Sequence, residues 1–501
     1  MRNPHYYQVL TGAFFLLAVL LRVSLFWVNP PENTFDDHFE PIFIMMEEGA
    51  IPPKDACWEC FQPPIFYIIS AGIGNAVFQS EIGPEEQLKL FQFLPCLYGI
   101  LTLVIIYLIL KRVDVSDFAR TLTFGMVCFL PRHIYMSAMH TNDTLSYLLV
   151  TLCAYLFLVI IDREHPAENV KQVAKLSPDG QASFRPKSWR QSSSLRTNLL
   201  VISLMVSILL ALNTKSTALI VLPMIAAVFV LAYALRLIKI DKRNAAYITL
   251  LFLIPLTVFG STAWSDIKNY GQPLPLNIEL LNVTLTQPPG GDDLSYFDFK
   301  PWATIKDPIL APENVGSFWT LITSRMWFDM EPKFLQYTDP NPAWWDAYDD
   351  YLNRHDRYDW PGDILLSPFT RLSGSLLIGF GLVPLAFILL GIARALVGKW
   401  SFWSNTNPAE ILKVQIFIVL LAFNLAGIIF HVLRFPYYSF MKAAFILNSI
   451  AAFALFLALG IMFIEKIKAF RWGVSIIFAV IFTLSTIHIM HIVLSISFGL
   501  L

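Results

Sequence analysis

The chain has 501 residues, of which 56% are hydrophobic and only 15% are charged. Soluble domains carry about 25% charged residues, so this composition excludes an ordinary soluble protein. The formal net charge is −1 and no basic tract resembles a nucleic-acid-binding arm. We therefore expect no nucleic-acid partner.

Apolar runs of about 20 residues recur along the chain, which is the length of a helix that crosses a bilayer. Spanning segments must be helical, because lipid cannot pair with backbone polar groups. The predicted fold class is an all-α polytopic membrane bundle of about 11–13 transmembrane helices, with juxtamembrane helices in outer loops. The predicted apolar segments are 7–28, 63–79, 88–110, 118–138, 144–161, 197–213, 217–236, 245–264, 372–396, 410–432, 441–464 and 471–496.

Clusters of Lys and Arg orient these segments, since basic residues concentrate on the cytoplasmic side. Placing every such cluster inside leaves 29–87 and 265–371 outside. The short turn 139–143 can also lie outside only if one intervening segment does not cross. We assign this role to 63–79, which is short and starts at a Pro-Pro pair, so about eleven crossings are predicted, with the N-terminus inside.

The chain divides into an N-terminal transmembrane module (1–264), a large outer loop (265–371) and C-terminal transmembrane helices (372–501). The module contains the first outer loop, 29–87, and a polar, basic segment, 162–197, which is predicted to be a flexible cytoplasmic loop. The large outer loop holds about half of the tryptophans. They would form either an interfacial aromatic belt or a wall that stacks on sugars.

Acidic residues gather at the outer ends of the segments, whereas the segments themselves hold almost no charge. Asp36 and Asp37 follow the first segment, and Asp143 precedes a later one. Adjacent carboxylates at an interface are costly unless they are solvated, paired or metal-bound. They are therefore either solvated loop acids or a general base and metal ligands, with His38 a further ligand candidate. Asp143 also suits a helix N-cap.

Three cations lie in predicted outer turns, where the positive-inside tendency makes them unexpected. These are Lys215, Arg434 and Lys442. Cations at an outer helix end suit an anionic lipid phosphate, although long basic side chains also extend to headgroups without a specific partner.

The first outer loop also contains Cys57-Trp58-Glu59-Cys60. On an outer face a disulfide bond is favoured, because that compartment is oxidising. Free thiols and a metal site are the alternatives, although zinc normally takes four protein ligands.

Five stretches in chain order resemble the GT-C superfamily of integral-membrane glycosyltransferases. The resemblance is to the branch of the protein O-mannosyltransferases and the lipid A aminoarabinose transferases. The pair in FDDHFEPI differs from many members, which have Glu at the position of Asp37, and the last stretch lacks its usual Tyr and Pro. The stretches are FDDHFEPI with QPPIFYII, HTNDTLSYLL, NTKSTALIVLP, IKNYGQPLPLN and MKAAFILN.

The resemblance implies an inverting transferase at the outer membrane face. It would move a sugar from a polyprenyl-phosphate donor to a hydroxyl of a lipid, glycan or protein acceptor. A divalent metal (Mg, Mn or Zn) is the candidate cofactor, and membrane lipids are further partners. The cytoplasmic membrane of a prokaryote is expected rather than the endoplasmic reticulum, with the active site facing outward.

The same resemblance implies roles for the site residues. Asp36 would be the general base, and Asp37 would position it or share a metal. Asp143 and His38 would orient the acceptor or bind a metal. The leaving phosphate would be bound by Lys442, Arg434 and Lys215.

A transporter or flippase of a lipid-linked sugar is the alternative. It would share the number of spans and the polar outer face. It would also need a polar route across the membrane, which usually contains charged residues inside the spans. The sparse charge of the predicted segments disfavours this alternative.

Overall fold

Helices form every regular element in the part of the chain that the structure describes. The computed structural model describes residues 4–34, 36–77, 84–164, 195–238, 241–282, 294–308, 317–330, 333–335, 367–398, 401, 407–435 and 441–498. The predicted cytoplasmic loop 162–197 and the tryptophan-rich end of the outer loop, with Trp344, Trp345 and Trp360, lie largely outside these residues.

The helices follow the predicted segments closely in the first half of the chain. They are α1 (Pro4–Val28), α2 (Glu40–Glu48), α3 (Ile65–Val77), α4 (Pro84–Arg112), α5 (Asp117–Cys128), α6 (Pro131–Ala138), α7 (Asp143–Glu164) and α8 (Leu195–Leu212). A 3₁₀ turn over Ser216–Ile220 leads into α9 (Val221–Ala234). A π-helical turn over Thr249–Leu253 joins α10 (Lys242–Ile248) to α11 (Ile254–Tyr270).

Short helices within residues 265–371, the predicted large outer loop, separate this half from the last four long helices. The short helices are α12 (Asn277–Leu280), α13 (Pro301–Lys306) and α14 (Phe318–Trp327). The C-terminal helices are α15 (Pro368–Val397), α16 (Pro408–Arg434), the short α17 (Ala443–Ile446), α18 (Ile450–Ile464) and α19 (Lys468–Phe498).

The predicted all-α polytopic bundle is confirmed. Nine helical runs in the described part are long and apolar enough to cross a membrane: His5–Val28, Glu86–Arg112, Asp143–Glu164, Ser216–Ala234, Lys242–Tyr270, Pro368–Val397, Pro408–Arg434, Ala443–Ile464 and Lys468–Phe498. Two further predicted segments do not reach this length: 197–213 is shorter, and 118–138 is broken into two helices. Segment 63–79 corresponds to α3, whose 13 residues are too few for the roughly 20 that a spanning helix needs. Eleven crossings therefore remain a prediction.

Segment 118–138 is broken because Pro131 follows an extended Leu130, which ends α5 and starts α6. The break leaves carbonyls at the end of α5 without helical partners. Arg22 of α1 is fully buried beside it and donates to the Cys128 carbonyl at 3.0 Å and to His133 Nδ1 at 2.7 Å. The apolar pattern of the segments predicts almost no charge inside the spans and does not identify Arg22, a buried cation that hydrogen-bonds to both sides of the helix break.

Small residues allow α15 and α18 to pack in backbone contact, as is common between membrane helices. A Cβ at Gly391 would lie 1.8 Å from the Phe456 carbonyl oxygen, and one at Gly460 would lie 2.0 Å from that of Phe387. The two helices can therefore approach only where both glycines face the partner backbone.

We expect Gly460→Ala to destabilise the protein by about 1–3 kcal/mol, because the added methyl group must push two helix backbones apart. Gly427→Ala is the matched control, since a Cβ there meets nothing within 4 Å. Thermal unfolding in detergent measures both. Equal midpoints for the two variants would contradict the close packing of α15 and α18.

The helices have two distinct polar ends. At one end Asp162, near the end of α7, accepts from Arg112 at 2.7 Å and pairs with Lys413. This end carries the basic clusters that predict the cytoplasmic side. Helix α7 begins at the opposite end, with Asp143. Most of the predicted site residues lie at that end.

Helix α14, in the predicted outer loop, is part of the bundle rather than a layer on its surface. Trp327 is buried and lies so close to Gly381 of α15 that a Cβ there would be 2.3 Å from its indole nitrogen. Trp302 of α13 is exposed. Trp327 therefore fits neither the aromatic belt nor the sugar-binding wall, and the described tryptophans of this loop differ in their surroundings.

Candidate functional site

Three turns at the end of the bundle where α7 begins are joined by hydrogen bonds, and each carries a predicted site residue. Thr34 Oγ1, beside Asp36, donates to the His140 carbonyl at 3.0 Å. The Asn142 amide donates to the Thr214 carbonyl at 3.3 Å. The Ile65 N–H, just after the Pro-Pro pair, donates to the Asn213 carbonyl at 2.9 Å. These bonds hold the loop after α1, the start of α7 and the turn before Ser216–Ile220 together.

Asp36 forms an ion pair with Lys442, which directly precedes α17. Lys442 Nζ lies 3.2 Å from Asp36 Oδ2, and the side chains are 18% and 30% exposed. The indole Nε1–H of Trp58 approaches the other oxygen, Oδ1, at 3.5 Å. Burial by itself raises the pKa of Asp36, but Lys442, with smaller contributions from His38 and Lys215, lowers it by more, and the pKa falls to about 2. Asp36 is therefore an ionised, partly accessible carboxylate at neutral pH.

Asp37 has a different environment from its neighbour. Its Oδ1 accepts from the backbone N–H groups of Phe39 at 3.0 Å and Glu40 at 3.3 Å, where α2 begins. Such bonds satisfy N–H groups that a helix leaves unpaired. The carboxylate of Asp37 therefore fixes the start of α2 immediately after Asp36.

His38 is buried between Tyr67 and Glu59. Its Nδ1 lies 2.8 Å from the Tyr67 hydroxyl and 3.7 Å from Glu59 Oε2. Burial and then the charge of Lys215 lower the pKa of His38 to about 4, against the opposing effect of Asp36 and Asp143. His38 is thus neutral at pH 7 and lies within electrostatic reach of both acidic residues.

Asp143 and Lys215 form a second, more deeply buried ion pair. Lys215 Nζ lies 2.7 Å from Asp143 Oδ2, and their side chains are only 7% and 8% exposed. Thr141 Oγ1 donates to the same carboxylate oxygen at 2.9 Å, and Lys215 also donates to Asn142 Oδ1 at 3.0 Å. Asp143 Oδ1 is buried and has no hydrogen-bond partner among the described residues. Asp36 and Asp143 are thus each held by one of the predicted cations, whereas Asp37 is held by backbone N–H groups.

Arg434 lies in another arrangement. It forms an ion pair with Glu279 and donates to Gln272 Oε1 at 3.2 Å, so it contacts the predicted IKNYGQPLPLN stretch and its continuation. The Glu279 carboxylate also accepts from the Gln272 amide at 2.9 Å. Within the described residues, the hydrogen bonds and ion pair of Arg434 link α16 to Gln272 and Glu279 and do not join it to Asp36 or Asp143.

A disulfide bond joins Cys57 to Cys60. The loop that it closes carries Trp58, which approaches Asp36, and Glu59, which approaches His38. Sequence reasoning identified the cysteines but not the two residues between them. Their position inside a closed four-residue loop is the signal that could have identified them.

The residues present do not form a ready metal site. No group of three or more His, Cys, Asp or Glu side chains in the described ranges could hold a metal ion. Lys442 and Lys215 each occupy one carboxylate oxygen, Oδ2 of Asp36 and Oδ2 of Asp143 respectively. The predicted metal therefore stays a prediction.

No protein-family model matches the chain, and no curated protein matches it. Solved structures do. The Archaeoglobus fulgidus oligosaccharyltransferase, without ligand, has a TM-score of 0.51 at 13% identity over 96% of this chain. The archaeal oligosaccharyltransferase AglB from Archaeoglobus fulgidus, in complex with an inhibitory peptide and a dolichol-phosphate, has a TM-score of 0.52 at 12% identity over 97% of this chain. This chain covers 56% of the length of each.

ArnT from Cupriavidus metallidurans also matches, at 15% identity over 91% of this chain and 78% of ArnT. Its TM-score of 0.34 is too low for any conclusion. The archaeal oligosaccharyltransferase is a GT-C membrane glycosyltransferase, so the GT-C fold that the sequence motifs predict is confirmed. At 12–13% identity the likeness concerns the fold.

Proposed function

We propose that the protein is a glycosyltransferase that moves a sugar from a polyprenyl-phosphate donor to an acceptor hydroxyl, with inversion, at the outer membrane face. The observation that carries this proposal is the ionised, partly exposed Asp36 beside Lys442 in the first outer loop of a GT-C fold. The archaeal neighbour was solved with a dolichol-phosphate, which supports a lipid phosphate as the donor's leaving group.

In this proposal Asp36 is the general base. The acceptor oxygen attacks the anomeric carbon as its proton passes to the Asp36 carboxylate. The bond between the anomeric carbon and the phosphate oxygen breaks, and the electron pair leaves with the lipid phosphate. A positioned base contributes roughly 10²–10⁴-fold to such a step.

Lys442 couples donor binding to the strength of this base. A carboxylate with a pKa of about 2 is a weak base, because general-base efficiency rises with basicity. A donor phosphate beside Lys442 would share its positive charge through charge-assisted hydrogen bonds. The pKa of Asp36 would then rise towards its ordinary value when the donor is bound.

Asp143 is proposed to orient the acceptor. Its buried Oδ1 can accept a hydrogen bond, while Lys215 and Thr141 fix Oδ2. Lys215 is so closely held by Asp143 and Asn142 that we assign it mainly to keeping Asp143 ionised. Arg434 remains a candidate for the donor phosphate, provided that it releases Glu279. The membrane of a prokaryote is the proposed location.

The test is a transfer assay with purified protein in detergent. Radiolabelled polyprenyl-phosphate sugars are incubated with a membrane lipid extract, with and without EDTA, and donor binding is measured in parallel. Label that moves to a new product supports the transferase. Loss of this transfer in the presence of EDTA would indicate that a divalent metal is required. Absence of binding for every donor would overturn the proposal. Donor transport into vesicles without any transfer would favour the flippase.

We expect Lys442→Met to raise, by at least about one unit, the pKa of Asp36 that kcat/KM reports at subsaturating donor, where the enzyme is still free. In the donor-free wild type the Asp36 pKa of about 2 keeps the base ionised down to low pH, so Asp36 sets no acid limb of kcat/KM between pH 4 and 8. Without Lys442, burial raises the pKa of Asp36. The control is Lys54→Met, which removes an outer cation paired with Asp266 instead. An unchanged acid limb in Lys442→Met would contradict the pairing.

A further inference from the structure

The loop between Cys57 and Cys60 has no helix to fix it. It lies between α2 and α3 and consists of turns, with a hydrogen bond from the Cys60 N–H to the Cys57 carbonyl at 3.3 Å. Both cysteines are buried. The disulfide bond is therefore the covalent constraint on the direction of the two side chains between them.

Trp58 and Lys442 together hold the two oxygens of Asp36. Lys442 takes Oδ2 at 3.2 Å, and the Trp58 Nε1–H points at Oδ1 at 3.5 Å. A carboxylate with one donor can rotate about its last bond, whereas donors on both oxygens set the plane of the group. Trp58 therefore acts on the orientation of the proposed base rather than on the charge of the site.

Glu59 faces the opposite way, into the protein. It is 3% exposed and lies 3.7 Å from His38 Nδ1, which contacts the Tyr67 hydroxyl. The backbone N–H of His38 donates to the backbone carbonyl of Asp36 at 3.0 Å. The burial of Glu59 anchors the loop against the segment that carries Asp36, while Trp58 reaches the Asp36 side chain.

We propose that the disulfide-closed loop 57–60 positions the catalytic carboxylate, with Trp58 as the positioning residue, and that transfer depends on the oxidised Cys57–Cys60 pair. The inference rests on the proposed function of Asp36. Two equivalents of a thiol reductant break the S–S bond, leave two cysteine thiols and become a disulfide themselves. The freed loop then no longer directs Trp58 at Asp36.

Kinetics test the inference on the full-length protein. Trp58→Phe and the double variant Cys57→Ser/Cys60→Ser should each lower kcat about 10–100-fold, with KM changed less than about twofold, because a misplaced base loses rate without losing substrate contacts. The control is Trp264→Phe, an exposed tryptophan of α11. Reduction should slow the wild type and leave the double serine variant unchanged. An unchanged kcat in Trp58→Phe would overturn the inference. An unchanged kcat in wild-type protein whose thiol content shows that the Cys57–Cys60 bond is fully reduced would also overturn it.

A second measurement does not need activity. In protein labelled with 5-fluorotryptophan, the ¹⁹F resonance that Trp58→Phe removes is that of Trp58. It should move in Asp36→Asn and on reduction of the wild type, and the double serine variant should resemble the reduced wild type. A resonance that responds to neither change overturns the positioning role. Absence of transfer by the wild type would contradict the proposed function alone, and the ¹⁹F result would still decide this inference.

Discussion

Asp36→Asn will lower the rate of sugar transfer by about 10²–10⁴-fold, the usual contribution of a general base. The amide has almost the same shape, but it cannot take the proton of the acceptor hydroxyl. Donor binding should change little, because Lys442 remains available to the donor phosphate. Single-turnover assays at saturating donor, together with equilibrium donor binding, separate these two effects.

Asp55→Asn is the matched control, because Asp55 is an exposed acid of the same outer loop. It should leave the transfer rate within a factor of about two, since exposed surface charges interact weakly with distant groups. A transferase that works equally well with Asn at position 36 would have another base. A loss of folding in Asp36→Asn, seen as a lower unfolding midpoint, would instead assign Asp36 a structural role.

Lys215→Met will lower the free energy of unfolding by about 3–5 kcal/mol, the usual cost of removing one partner from a buried ion pair. The variant leaves the Asp143 carboxylate inside the protein without its cation. Asp143→Leu/Lys215→Met should recover much of this loss, because two apolar side chains leave no buried charge. Unfolding by SDS in mixed micelles gives the three values.

The comparison for Lys215 is Lys300→Met, which breaks an exposed pair with Asp298 and should cost at most about 1 kcal/mol. Both exchanges remove one lysine from one aspartate, so burial is the main difference between them. Equal losses in the two variants would show that the Asp143–Lys215 pair contributes no more than a surface contact.

Much of the fold could be predicted because hydrophobic length is a property of local sequence. The long apolar helices follow from it, as does the short α3 after the Pro-Pro pair. The break at Pro131 was not predicted, because the stretches on both sides of this proline are mostly apolar and the run therefore resembles one continuous segment. Arg22 was missed because its partners, the Cys128 carbonyl and His133, are over 100 residues away.

The site was predicted as a set of residues, but not as pairs. Asp36, Asp143, Lys215 and Lys442 were all identified, although the sequence assigned the acids and the lysines separate roles. The structure pairs Asp143 with Lys215 and Asp36 with Lys442, contacts that depend on how distant helix ends meet. Trp58 was not identified, because nothing in its local sequence indicates that its indole N–H faces a carboxylate.

The Asp36–Lys442 pair also has a consequence for synthesis of the protein. The two residues are 406 positions apart, and chains grow from the N-terminus at roughly 5–20 residues per second. For roughly 20–80 s each nascent chain therefore carries Asp36 at the membrane surface without its lysine. The pair can close only after α16 has entered the membrane and α17 begins. The pair therefore forms only when synthesis has reached the last helices. Until then the ribosome-bound protein contains only part of its proposed active site.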